Sequence, residues 1–411
     1  MLRTVSTVEP VVEPQQAAAE RRGSRLEWRR GQHGELIIKT RRAVGHNRGL
    51  AWSLLLACLA LVQTAGAQSA GPLSAVTVAV GGSADEPAYL PVHAALALGT
   101  FEAEGLQVSL KRSKHPTAAV AALRDREAGI AVTTLDTAIR GAWARKLPVQ
   151  VLVAHVRAPD VALLIAASAR DTVRRVEDLK GKAVGIPGPG TTGHLLLAQL
   201  LKGSRLKPSE VDARSIGNTA LLAQLGTDDL PAAMVEEPWA SRLLGSGRAS
   251  VLVDFRQPAE TERILGGPFY EVVSVAVTPP PKDEPKTKAG SKKVAPPPIE
   301  PPPDAVLAAY ARAVARVQVW LATTPPSVVA ERLSPALVKD RTRFEAELAA
   351  AQAAYAGAGE PTPGGLEATL RVLRGGASPW PVSLSVSPED LASPPAVTAA
   401  RTQLGPAPAP P

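Results

Sequence analysis

The chain has 411 residues, enough for two or three domains. Hydrophobic residues make up 45% and charged residues 20%, which excludes a collagen-like or wholly disordered chain. A single cysteine excludes an internal disulfide, a cysteine-built zinc site and a thiolate-held iron–sulfur cluster. The net charge of +8 is unevenly spread: +5 falls in 1–48, +2 in 279–303 and only +1 in all the rest. With a nearly neutral foldable part, and no zinc-finger, RNP-like or basic-helix pattern in it, nucleic acid is not an expected partner.

Arg41, Arg42 and Arg48 precede an apolar run, Leu50 to Val62, that ends in Gln63-Thr64-Ala65-Gly66-Ala67. The run is shorter than the about twenty residues a membrane span needs. Ala65 and Ala67 stand where a signal peptidase wants small residues. This predicts an N-terminal extension and secretory signal peptide over 1–67, and hence a periplasmic protein. A buried core helix is the alternative. Leu55-Leu56-Ala57-Cys58 resembles a lipobox, which leaves lipid anchoring at Cys58 open, and Val44 is a second candidate start.

Beyond Ala67, short β-like runs alternate with helical spacing. The strand candidates are Val76 to Val80, Val108 to Leu110, Ile130 to Val132, Val149 to Val153, Ala162 to Ala167, Ala183 to Ile186, Ala213 to Ile216, Ala232 to Val235, Val251 to Phe255 and Val272 to Val277. Helical stretches fall between them, among them Ala88 to Leu98, Thr117 to Arg126 with Thr117 as a candidate N-cap, Thr137 to Arg145 and Leu195 to Leu201. Repeated β–α–β order predicts an α/β fold with mostly parallel sheets flanked by helices. Residues 279–303, bounded by triple prolines with lysines between, read as an exposed insertion before a helix at Asp304 to Leu321. The end of the chain is Pro-rich and reads as a frayed tail over 375–411.

Three loops follow strands and open helices: Gly82-Ser83-Ala84, Thr133-Thr134-Leu135-Asp136 and Gly188-Pro189-Gly190-Thr191-Thr192-Gly193. In open α/β sheets ligands sit beyond the carboxyl ends of the strands, so the three loops are expected to converge. Unsatisfied N–H groups at a helix start, with threonine hydroxyls beside them, can cradle an anion; equally, Thr191 or Thr192 caps its own helix. Asp136 either caps its helix or meets a cationic ligand group. No P-loop, dinucleotide fingerprint, nucleophile elbow or histidine metal spacing is present. His93 reads as core or surface, and His194 is close enough to Thr191 to reach a ligand. Glu236-Glu237-Pro238 holds adjacent carboxylates that point apart in an extended chain. Trp239 is either an aromatic wall or core.

Three segments, in order, carry a family resemblance: Leu98-Gly99-Thr100-Phe101-Glu102-Ala103-Glu104-Gly105-Leu106, Asp178-Leu179-Lys180-Gly181-Lys182 through Ile186-Pro187, and Ala232-Ala233-Met234-Val235-Glu236-Glu237-Pro238-Trp239. They resemble the periplasmic substrate-binding proteins of nitrate/sulfonate/taurine (NitT/TauT) ABC importers, relatives of the thiamine-pyrimidine-precursor binding proteins. The resemblance implies a two-lobed type II periplasmic-binding-protein fold that closes like a hinge. Lobe one would be 73–158 plus 270–374, and lobe two 159–269. It implies ligand contacts at Ser83, Thr133, Thr134, Gly190, Thr191, Thr192 and, near the hinge, Glu237. Ala128-Gly129-Ile130-Ala131 departs from the family pattern and puts the pocket floor in question. The implied partners are a small solute, expected to be a sulfonate- or nitrate-like oxyanion, and the membrane subunits of a permease. A monomer with no catalytic residue, cofactor or metal is expected. An enzyme of the pyrimidine-precursor or menaquinone-pathway type on the same fold is the alternative, as is a sensing domain of a membrane receptor.

Overall fold

A computed structural model describes residues 28–30, 36–38, 73–113, 115–142, 147–227, 229–277, 300–375 and 385–404. The chain divides into two units, Met1–Ser69 and Ala70–Pro411. In the first, Trp28–Arg30 pairs antiparallel with Leu36–Ile38. The expected signal peptide and cleavage site, Cys58 and nearly all of the 279–303 insertion lie outside the described residues.

Among its described residues, the second unit contains ten strands: β1 Ser74–Val80, β2 Leu106–Arg112, β3 Ile130–Thr134, β4 Val149–Ala154, β5 Val161–Ala166, β6 Ala183–Ile186, β7 Asp212–Ser215, β8 Ala232–Glu236, β9 Ala249–Asp254 and β10 Val272–Val277. They form two five-stranded sheets, in the orders β2-β1-β3-β10-β4 and β7-β6-β8-β5-β9. The orders are the same. In each sheet the second strand of that order, β1 or β6, pairs parallel with both its neighbours, and one strand is reversed, β10 in the first sheet and β5 in the second. The reversed strand is the one entered from the other sheet: β5 follows the crossing at 155–160, and β10 the crossing at 266–271. The other strands of each lobe end at the face where the chain crosses. A strand arriving by that crossing starts there and runs the opposite way.

Residue pattern accounts for the layers. Along β1, Val76, Val78 and Val80 join the core containing Tyr310 and Val314, whereas Ala79 joins the opposite core with Val120 and Leu123. This is the period-two alternation of a strand packed on both faces. β7, a sheet edge, is exposed throughout and carries the Asp212–Arg214 pair, which suits an edge that must not pair with another chain. Asp304–Thr323 is the one helix among the described residues long and apolar enough to cross a membrane; here it buries Leu307, Tyr310, Val314, Val317 and Leu321 against the first sheet.

The motifs behind the family resemblance are largely structural. Phe101 is fully buried and stacks on Tyr310, with ring centroids 5.6 Å apart. Glu104 binds Arg312 and Arg316 at 2.6 and 2.5 Å, fixing the long helix beside β2. The Ala128–Ala131 departure lies at the start of β3, away from the strand end that bears Thr133 and Thr134. Its Gly129 is required by packing: a Cβ there would stand 2.6 Å from Cγ of Pro302.

Two expectations about the C-terminal part need correction. Helix Pro363–Gly375, expected in lobe one, packs on helix Thr192–Gly203 of the second lobe and buries Leu366, Leu370 and Leu373. Residues 385–404, expected to fray, are docked on the first lobe. The backbone N–H of Val151 in edge strand β4 donates to the Leu391 carbonyl at 2.9 Å. Helix Pro395–Thr402 packs on Asp304–Thr323, with Val397 fully buried and Arg401 donating to the Leu152 carbonyl. The tail thereby covers an edge that would otherwise present unpaired backbone groups.

Candidate functional site

The carboxyl ends of β1, β3, β6 and β8 face a cavity of about 300 Å³ between the two sheets, bounded on one side by the crossings. Its lining comes from both lobes and the hinge: Glu86, Tyr89, Thr134, Asp136, Asp160, Gly190, Thr191, Thr192, Glu236, Phe269, Tyr270 and Glu271 are among the residues facing it.

Of the residues expected to bind ligand, four meet here: Thr134, Gly190, Thr191 and Thr192. Most of the donors they offer are already engaged. Thr134 caps helix Leu135–Gly141, accepting from the Thr137 N–H at 3.3 Å and donating to Thr137 Oγ1 at 2.7 Å. Asp136, the other candidate for that cap, pairs with Arg140 at 2.6 Å. Thr191 caps helix Thr192–Gly203, accepting from the His194 N–H and donating to the Gly188 carbonyl at 2.8 Å. The Gly190 N–H donates to His194 Nδ1 at 2.9 Å, so His194 braces the loop; partial burial lowers its pKa. Thr192 Oγ1 donates across the cleft to Glu271 Oε1 at 2.5 Å.

The other three residues do not line the cavity. Thr133 is fully buried and donates to the Pro116 carbonyl at 3.1 Å. Helix Pro116–Arg124 starts at that proline, and Thr117 has no capping role. Ser83 lines a neighbouring cavity of about 450 Å³, with its N–H bound to Glu86 Oε1 at 3.0 Å. Glu237 turns away from the cleft into an ion pair with Arg256 at 2.5 Å and accepts from the Ser241 hydroxyl at 2.9 Å. Trp239 packs on the core. The neighbour of Glu237 faces the ligand space instead: Glu236, last residue of β8, lines the cavity and accepts from Asn218 Nδ2 at 2.6 Å.

Three more carboxylates of the lining, Glu86, Asp160 and Glu271, were not singled out from the sequence. Asp160 and Glu271 are the residues immediately before the reversed strands β5 and β10, and they meet where the crossings run side by side. The Asp160 N–H lies 3.4 Å from Glu271 Oε2, the Leu135 N–H donates to the Glu271 carbonyl, and the Phe269 N–H donates to the Arg157 carbonyl. Burial pushes the Glu271 carboxyl up to about 7, with Glu236 and Glu86 adding like charge against the hydrogen bonds from Thr192 and the Asp160 N–H. Asp160 is raised well above the usual carboxylate range by burial and by Glu271, Glu236, Glu237 and Glu86. Glu236 is raised mainly by burial. Among the described residues, no lysine, arginine or histidine lines the cavity. The expected oxyanion would therefore enter a cleft of like charge, and several of the donors meant to hold it are spent on the protein itself. Among the described residues no group of three or more His, Cys, Asp or Glu is placed to hold a metal ion.

Aromatic surface completes the wall. Tyr89, 3% exposed, lies over Gly82 so closely that a Cβ on that glycine would stand 2.3 Å from a ring carbon. Tyr270 is fixed by its hydroxyl, which donates to the Glu360 carbonyl at 3.2 Å, and by its N–H, which donates to Thr369 Oγ1 at 2.9 Å.

Two sheets of equal strand order, joined by paired crossings around a cleft, define a two-lobed α/β fold of the type II periplasmic-binding-protein kind. Residues 86–244 match the family described as NMT1/THI5 like. Among solved structures, the chain is similar to a protein from Bordetella bronchiseptica RB50, with 20% identity, TM-score 0.59, and 80% of this chain and 98% of that one covered. It is also similar to a protein described as the periplasmic sulfonate-binding protein SsuA of a sulfonate ABC transporter from Methylobacillus flagellatus KT, with 13% identity, TM-score 0.59, and coverage of 81% and 95%. A third is the ligand-binding component of an ABC-type import system from Staphylococcus aureus, with 11% identity, TM-score 0.53, and coverage of 81% and 99%. No curated protein matches the chain.

Proposed function

We propose that this chain is the extracytoplasmic solute-binding component of an ABC importer, which captures a small molecule between its lobes and hands it to membrane permease subunits without transforming it. The observation that carries this reading is the cavity of about 300 Å³ enclosed by two lobes of the same strand order and floored by two side-by-side crossings. Such crossings flex while each sheet stays rigid, so a ligand touching both lobes favours the closed form by its differential affinity. The arginine-flanked apolar run and the Ala65-x-Ala67 exit support export, and the sulfonate-binding and import-system neighbours support the transport role.

The test is native mass spectrometry of the full chain recovered from the cell envelope of its producing cells. A chain starting near Gln68 should carry one co-purified small molecule, released unchanged on unfolding. Retention in the cytoplasm, or conversion of that molecule on incubation, overturns the reading.

A further inference from the structure

The geometry points to a small nitrogenous cation, a protonated amine or an amidinium, as the solute this cleft receives. The inference rests on the cleft being the ligand site and concerns only what fills it. Five carboxylates border the cavity: Glu86 at its rim on the first lobe, Asp136 on the adjoining helix, Asp160 and Glu271 from the two crossings, and Glu236 at the end of β8 on the second lobe. Asp136 is neutralised by Arg140, and Glu237 behind the wall by Arg256. The remaining four have no basic partner among the described residues. Glu236 and Glu271 accept from the neutral groups Asn218, Thr192 and the Asp160 N–H, and Glu86 accepts from the Ser83 N–H. Among the described residues, the side chain of Asp160 has no hydrogen bond or ion pair to another residue.

Such a set is unfavourable in the empty protein. Like charges in a partly dehydrated space cannot all ionise, so the empty cleft retains protons. Apart from the Thr192–Glu271 bond, the lobes are held together without the cluster, by the backbone of the crossings and by the Phe269–Arg157 and Leu135–Glu271 bonds. A ligand that brings positive charge and several N–H donors resolves the conflict. It converts the mutual repulsion of Asp160, Glu236 and Glu271 into charge-assisted hydrogen bonds and expels the retained protons. Because these acids come from the second lobe and from both crossings, and Glu86 from the first lobe, one cation reaches both halves. Tyr89 and Tyr270 offer aromatic surface for its apolar body.

The experiment screens the full chain by unfolding temperature at pH 8. One panel holds small alkylamines, diamines, amidines and guanidines. An equal panel holds sulfonates, carboxylates, nitrate and neutral amides, and Mg²⁺ and Zn²⁺ are run alone; hits go to calorimetry. The expected result is stabilisation by members of the cation panel only. Their affinity should rise about tenfold per pH unit from pH 5 toward 7, then flatten, and the observed heat should change with the buffer's ionisation enthalpy because protons are released. Asp160→Asn and Glu236→Gln should each weaken the best cation by at least about tenfold. Both variants should melt, without ligand, no lower than the parent, which separates lost binding from lost folding. Hits among anions only, stabilisation by a metal ion alone, affinity that falls as pH rises, indifference to both substitutions, or the absence of any cation hit would overturn the inference. An anion hit would leave the solute-binding reading intact, since that reading stands on the co-purified molecule instead.

Discussion

Strand β10 connects two clusters of buried polar groups that are built on opposite terms. Three residues into the strand, Ser274 belongs to a chain inside the first lobe. His155 Nδ1 lies 3.1 Å from the Ala88 carbonyl, His155 Nε2 lies 2.8 Å from Ser274 Oγ, and Ser274 Oγ lies 2.8 Å from the Tyr310 hydroxyl. A carbonyl only accepts, so Nδ1 carries the proton and Nε2 accepts from Ser274, whose oxygen accepts from Tyr310. Every member is neutral and satisfied. Just before the strand, Glu271 belongs to the cleft set, where acids outnumber partners. A closed chain of neutral donors and acceptors fixes a core. An unbalanced set of acids at the mouth of a cavity makes no structural sense without something to complete it.

The sharpest way to break the contrast is acid. Burial holds the His155 imidazole down at about 3, far below its free value of 6.5. Because the folded form resists protonation and the unfolded chain does not, the stability this residue confers is complete above pH 6.5. It is lost as pH falls toward 3, by up to about 1.4 kcal/mol per unit. Glu271 has the opposite sign: its raised value makes the folded form bind a proton more tightly, so its contribution is complete below 4.5 and lost as pH rises through about 7. Urea unfolding across pH should show His155→Gln flattening the acid limb and Glu271→Gln flattening the other. Exchanged effects would refute the assignment.

Next in size is Ser274→Ala, which leaves His155 Nε2 and the Tyr310 hydroxyl buried without partners. The expected loss is about 3 kcal/mol, read by urea unfolding, since two orphaned groups cost more than the bonds themselves were worth. A loss below about 1 kcal/mol would mean water replaces the hydroxyl. Asp160→Asn should do the reverse. Removing one like charge from a crowded cleft should stabilise the ligand-free protein by about 1 kcal/mol at pH 8 and leave it unchanged at pH 4. Stabilisation by a substitution in a ligand site is the signature of a site held ready at a cost.

Much of this fold is legible in the sequence because its signals are local. The ten strand candidates all appear, since runs such as Val76 to Val80 and Val149 to Val153 alternate or saturate with β-branched residues. The loops that open helices at Thr134 and Thr191 are legible for the same reason. The reversal of β5 and β10 is not, because direction depends on which lobe the chain arrives from. Neither is the docking of Pro395–Thr402, whose prolines read as fraying until the bare edge of β4 is seen beside them. For the site, the sequence offers Glu236 and Glu237 as a pair without saying which faces the ligand. One residue of strand period decides it, and Arg256, distant in sequence, claims Glu237. Asp160 and Glu271 carry no motif at all; they become a pair only when the two crossings lie side by side.

The smallest predicted effect is also the most specific to the cleft. Thr192→Ala removes the hydroxyl that reaches from the second lobe to Glu271. A bond donated to a carboxylate is worth more when the carboxylate is ionised, and it is one of the influences holding Glu271 down against burial. The substitution should therefore cost about 0.5–1 kcal/mol at pH 8, where Glu271 is charged, and almost nothing at pH 5, where it holds its proton. Paired unfolding curves at the two pH values decide the matter. An equal loss at both would show that the hydroxyl acts by packing alone, and that the charge of the hinge carboxylate does not reach the helix tip facing it across the cleft.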